Sequence, residues 1–229
     1  MENLFTDPFN ILLIAAFIGF FMAFGIGAND VANSMGTSVG ARALTIKQAI
    51  LIAAVFEFLG AFLAGGEVTS TIRKGIVDPN LYTDQVNIFV IGMMSALLAG
   101  GTWLYIASLR GWPVSTTHSI VGAIIGFVLI TKGVDAVSWG KVSNIAMSWV
   151  TSPLFSGILA FSLYISAKKL ILDRANHGKA AITFIPFYSF LVAVVISLVT
   201  ARKGLKHVGI EWTENEVYLF TLIFSIVVA

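Results

Sequence analysis

Cysteine is absent from the 229 residues, so neither a disulfide nor a thiolate metal site is available to the chain. Charge is scarce as well. Asp, Glu, Lys and Arg make up 11% of the sequence, against roughly a quarter in an ordinary soluble domain. The formal net charge is only +2, which leaves no basic field for nucleic acid and excludes it as a partner. The start carries Glu2 and Asp7 and no lysine. The first apolar run therefore lacks the basic flank and small-residue cleavage site of a signal peptide, and it reads as a retained helix. What is abundant is apolar: 57% of the residues, gathered in long runs. That composition predicts an all-α integral membrane protein with the lipid bilayer as its first partner.

A spanning helix needs about 20 mostly apolar residues. The runs that approach this are Phe9 to Gly27, Ile46 to Gly65, Val86 to Leu109, Pro113 to Ile130, Val142 to Ala167, Ala181 to Ala201 and Val217 to Ala229. Residues 1–229 thus read as one transmembrane domain of about six to seven segments. The last run stops short of a span, so the chain is expected to be a fragment or to be completed by another polypeptide. With the N-terminus outside, the inner connections gather Arg42, Lys47, Arg110, Lys168, Lys169, Arg174 and Lys179 against the single acid Asp173. That bias is the one the positive-inside rule requires. Arg202, Lys203 and Lys206 fall on the other side and fit it badly.

Three places break the apolar pattern. The first is FGIGANDVANSMGTSVG, Phe24 to Gly40, which comes directly after the first run. Backbone that leaves the helix at membrane depth survives only against protein or water. Gly25, Gly27, Gly36 and Gly40 predict an unwound stretch, with Asn29, Asp30 and Asn33 adding side-chain oxygens to the freed carbonyls. Such a donor set suits a hard cation such as sodium. The plainer reading is a helix end emerging into water, with Asn and Asp capping the next helix.

The second is GWPVSTTHSIVGAIIGF, Gly111 to Phe127. Pro113 is expected in the first turn of a helix. Ser115, Thr116 and Thr117 would then surround its N-terminus, where free amides and the helix dipole favour an anion. His118 could donate to an oxyanion or carry a proton, and Gly122 and Gly126 form a small-residue face for tight packing. Plain N-capping beside a satisfied histidine is the alternative. The third break is Glu57, a carboxylate near the centre of Ile46 to Gly65, where it costs several kcal/mol and suggests a cation, a proton or a polar partner. Ser148, Thr151, Ser152 and Pro153 interrupt a further run, as a kink or another broken helix.

GANDVANSMGTSVG (27–40) and GWPVSTTHSIVGAIIG (111–126), in this order, closely resemble the N-terminal half of the PiT family of inorganic phosphate transporters. VSNIAMSWVTSPLFSGILAF (142–161) and TARKGLKHV (200–208) resemble it too, so the likeness covers nearly the whole chain. It implies one half of an inverted-repeat transporter, a helical bundle with broken or re-entrant helices in the plasma (inner) membrane. The implied activity is cation-coupled symport of inorganic phosphate, with sodium or a proton as coupling ion and no other cofactor. Asn29, Ser115, Thr116, Thr117 and His118 are implied for phosphate, and Asn29, Asp30, Asn33 and Glu57 for the coupling cation. Only one copy of each signature is present. The resemblance therefore also implies a partner, either a second half-transporter or another copy of the chain. An ion or anion channel built on the same broken helices is the alternative. A membrane-embedded hydrolase using His118 with Ser115 or Thr117 lacks an orienting acid, and no enzyme activity is expected.

Overall fold

The computed structural model describes residues 7–204, 209–210 and 212–229; Glu2, Lys206 and His207 lie outside them. Seven α-helices occur among the described residues: α1 Pro8–Gly40, α2 Ile46–Gly75, α3 Val86–Leu109, α4 Thr116–Lys132, α5 Trp139–Ala167, α6 His177–Val199 and α7 Glu214–Val228. Five stretches are long and apolar enough to cross a membrane, and α4, with 17 residues, is a shorter apolar helix. The protein is an integral, multi-pass membrane protein.

The helix ends reflect local chemistry. Asp7 caps α1 by accepting from the Phe9 amide, and Pro8 takes the first helical position, where no N–H is missed. Thr45 and Gln48 form a capping box at α2, and Thr213 and Glu216 form another at α7. Gly133, at φ +84°, closes α4 in a conformation that side-chain-bearing residues avoid.

Contacts divide the chain into two compact units, residues 1–58 with 71–142 and residues 59–70 with 143–229. In the first, α3 lies between α1 and α4. Helices in lipid have no hydrophobic drive to associate, so close approach at small residues does the work. A Cβ on Gly25 would sit 3.2 Å from the Leu104 Cβ and 3.3 Å from the Gly101 oxygen, and one on Gly101 would sit 3.1 Å from the Met22 Cα. Gly25 and Gly101 are thus the crossing point of α1 and α3. On the other flank of α3, the Phe127 ring of α4 occupies the space a side chain at Gly92 would need, 1.9 Å from its ideal Cβ. Leu104, Ala107, Ile124 and Val128 are fully buried around these crossings.

In the second unit α6 packs on α7. Ala193 and Ser197 of α6, with Ala201 in the turn just beyond it, recur every fourth residue on one side, and Val217, Thr221 and Ser225 on the other; all six are buried. Matching four-residue rows of small side chains let the two helices interlock. Arg202 pairs with Glu214 at 2.6 Å and with the Tyr218 hydroxyl at 2.9 Å, so one member of the basic cluster that fitted the charge bias badly is compensated.

Three expectations are corrected. The first polar break does not unwind: α1 is α-helical from Pro8 to Gly40. Gly25 serves approach to α3, and the polar side chains satisfy themselves along the helix, Ser34 Oγ donating to the Asp30 carbonyl and Asn33 Nδ2 to Asn29 Oδ1. Pro113 lies ahead of α4, because Ser115 is the N-cap. And a Cβ on Gly122 or Gly126 would meet no described atom within 4 Å, the tight packing falling to Gly92 instead. Helix α5 runs unbroken through Pro153, with the Thr151 hydroxyl bonded to the Met147 carbonyl. That resolves this stretch against a broken helix.

Candidate functional site

The first unit brings the two long motifs together. After α3 the chain turns at Gly111, φ +66°, and runs through Trp112, Pro113 and Val114 into the N-terminus of α4. Asn29, on α1, reaches this segment from 83 to 85 residues away: its Nδ2 donates to the Trp112 carbonyl at 2.9 Å, and its Oδ1 accepts from the Val114 amide at 3.3 Å. One residue on, Asp30 Oδ2 accepts from the Thr116 hydroxyl at 3.3 Å. Asn29 is 5% exposed, whereas Asp30 and Thr116 are half-buried.

At the mouth of α4, Ser115 Oγ accepts from the His118 amide at 3.3 Å. The Ser115 carbonyl takes up the Ser119 amide at 3.1 Å. The amides of Thr116 and Thr117 are left as the open donors of the first turn, as every helix leaves some. With the positive end of the helix dipole they form an anion-favouring pole. Ser115, Thr117 and His118 are exposed around it. A carboxylate and an anion-favouring pole thus share one corner, joined by Thr116.

The other expected residues are placed less closely. Asn33 is exposed one turn beyond Asn29 and donates to it at 3.3 Å. Glu57 is exposed on α2, and its Oε2 stands 3.8 Å from where a Cβ on Gly27 would be, three residues before Asp30 on α1. Among the described residues no three His, Asp or Glu side chains gather as a metal cluster. Sequence reasoning missed the role of Trp112. It offers its backbone to Asn29 while its ring lies 6.3 Å from Trp103 and 5.2 Å from the Arg110 guanidinium carbon.

Residues 26–227 match the model of a phosphate transporter family. A protein of Haemophilus influenzae named "Putative phosphate permease" is 50% identical over 214 residues, covering 93% of this chain and 51% of that protein. The Arabidopsis thaliana protein named "Inorganic phosphate transporter 2-1, chloroplastic" is 48% identical over 179 residues, covering 78% of this chain and 30% of that one. A solved structure described as the sodium-dependent phosphate transporter superposes with a TM-score of 0.87 at 42% identity, over 95% of this chain and 53% of its own. The chain spans about half the length of that structure and of the bacterial relative.

Proposed function

The chain belongs to the phosphate transporter family, and on that premise we propose that it contributes a phosphate and cation site to a secondary active symporter. Ser115, Thr116, Thr117 and His118 bind phosphate, through hydroxyls, the imidazole and the open amides of the α4 first turn. Asp30, with Asn33 and Glu57 nearby, holds the coupling cation. The remaining ligands come from a complementary half, in the same gene product or in a second copy of the chain. The observation that carries this reading is the meeting of Asp30 with Thr116 at the N-terminus of α4.

The corner explains how two ions of opposite charge strengthen each other. Phosphate bound at amides and hydroxyls carries more negative charge than a helix terminus neutralises. A cation on the Asp30 carboxylate, one hydrogen bond away, supplies the difference, and the anion in turn reduces the cost of the cation. Each ligand raises the affinity of the other by the same factor, which is what symport requires of equilibrium binding. Sodium is favoured as that cation, since the structural relative at 42% identity is described as sodium-dependent. Release then occurs when one helical bundle rocks against another about the loaded site.

The test is uptake of labelled phosphate by the complete gene product in proteoliposomes, under an imposed sodium or proton gradient. Saturable accumulation driven by sodium is the expected result. Accumulation driven by the proton gradient alone would replace the ion. Passive, unsaturable flux with either ion would mean a channel, and the symport reading would be abandoned.

A further inference from the structure

Pro113 has no N–H, so the loop into α4 offers the groups on either side of it, the Trp112 carbonyl and the Val114 amide. Both are taken by one side chain, Asn29. An asparagine amide presents a donor and an acceptor in one plane on a short stem, which is what a carbonyl and an amide flanking a proline demand. Aspartate keeps the acceptor and loses the donor, and alanine loses both. The acceptor is fully engaged, since Asn29 Oδ1 also receives Asn33 Nδ2 at 3.3 Å and a carbonyl oxygen has two lone pairs. No lone pair is left for a cation, and both heavy atoms of the amide face protein.

The rest of the loop is held from α3. The Trp112 amide bonds the Ala107 carbonyl at 2.9 Å, and the indole lies beside Trp103 and Arg110. Among the described residues, Asn29 alone ties the middle of the loop to α1 on both sides of the proline. We propose that Asn29 is a positioning residue and not a ligand: it fixes where the open first turn of α4 stands relative to Asp30. This rests on the assignment of phosphate and cation to that corner.

The test uses the absence of cysteine from this chain. A single thiol, Val114→Cys, is placed in the complete gene product in a background without other cysteines, and its rate of modification by a water-soluble maleimide is measured. With Asn29 present the loop is pinned and the reaction is slow. Asn29→Ala and Asn29→Asp are each expected to speed it on the order of tenfold, the scale of one or two lost buried hydrogen bonds. If the alanine variant does not insert, the nearly isosteric Asn29→Asp carries the test. Phosphate uptake is measured alongside. A positioning role predicts a higher phosphate KM in Asn29→Asp and no tighter activation by the coupling cation. An unchanged thiol rate in Asn29→Asp overturns the proposal. So does tighter cation activation in that variant, which a ligand given a full charge would produce. The thiol rate reads the loop whether or not the parent transports phosphate, so failure of the transport assignment shows separately, as a parent that accumulates none.

Discussion

The Thr116 hydroxyl donates to Asp30 Oδ2 at 3.3 Å, joining two helices through residues 86 positions apart in sequence. A hydrogen bond to a carboxylate contributes about 1.5–3 kcal/mol, roughly ten- to hundredfold in an equilibrium. Asp30→Asn, which keeps the shape and removes the charge, is therefore expected to reduce phosphate uptake at least about tenfold and to flatten its dependence on the coupling cation. Labelled-phosphate uptake against cation concentration measures both. Parent-like values would remove Asp30 from the site.

Thr116→Val separates the hydroxyl from the amide. The open backbone donors of α4 remain, so phosphate should still bind, with a KM raised about five- to tenfold and the maximal rate less affected. A fall in maximal rate at constant KM would instead place the hydroxyl in the conformational step.

At the crossing of α3 and α4, Gly92→Ala would drive a methyl group into the Phe127 ring. Overpacking of this kind costs about 1–3 kcal/mol, and the melting temperature in detergent should fall by several degrees. Adding Phe127→Leu opens the space and should recover part of the loss. An unchanged melting temperature in Gly92→Ala would mean that the ring moves aside freely.

In the second unit, the Thr221 hydroxyl is buried with no hydrogen-bond partner among the described residues. Thr221→Val keeps the volume and removes the unmet group, so stability should be unchanged or gain about 1 kcal/mol. Ser225→Leu, in the same row and fully buried, should prevent the close fit of α6 on α7 and lower thermal stability by more than any substitution named above.

The spans were legible because lipid reduces sequence to a simple question of apolar length. The expected and observed bounds of α3 coincide at Val86 and Leu109. The nature of the first motif was less legible. Glycines succeeded by Asn and Asp read as a helix that unravels, yet in a bundle the same residues give another helix room to approach, and only the partner decides between the two. Gly25 finds Gly101 and Leu104, so the backbone stays regular. Asp30 and Thr116 were legible as candidate site residues, each from the chemistry of its own motif. The bond from Asn29 to Trp112 was not, because it depends on a backbone carbonyl that a sequence does not display.

The unbroken course of α1 has a consequence for motion. The helix is regular from Pro8 to Gly40, so the motif residues are expected to move with α1 as a whole. Asp30 stands about 33 Å along the rod from Pro8, so a tilt of about 10° pivoting there would carry its carboxylate about 6 Å sideways. A rod of that length would turn a small change of angle at its N-terminal end into a displacement of several ångström at the motif. Distance labels at the two ends of α1 would then report opening and closing as a swing of the whole lever.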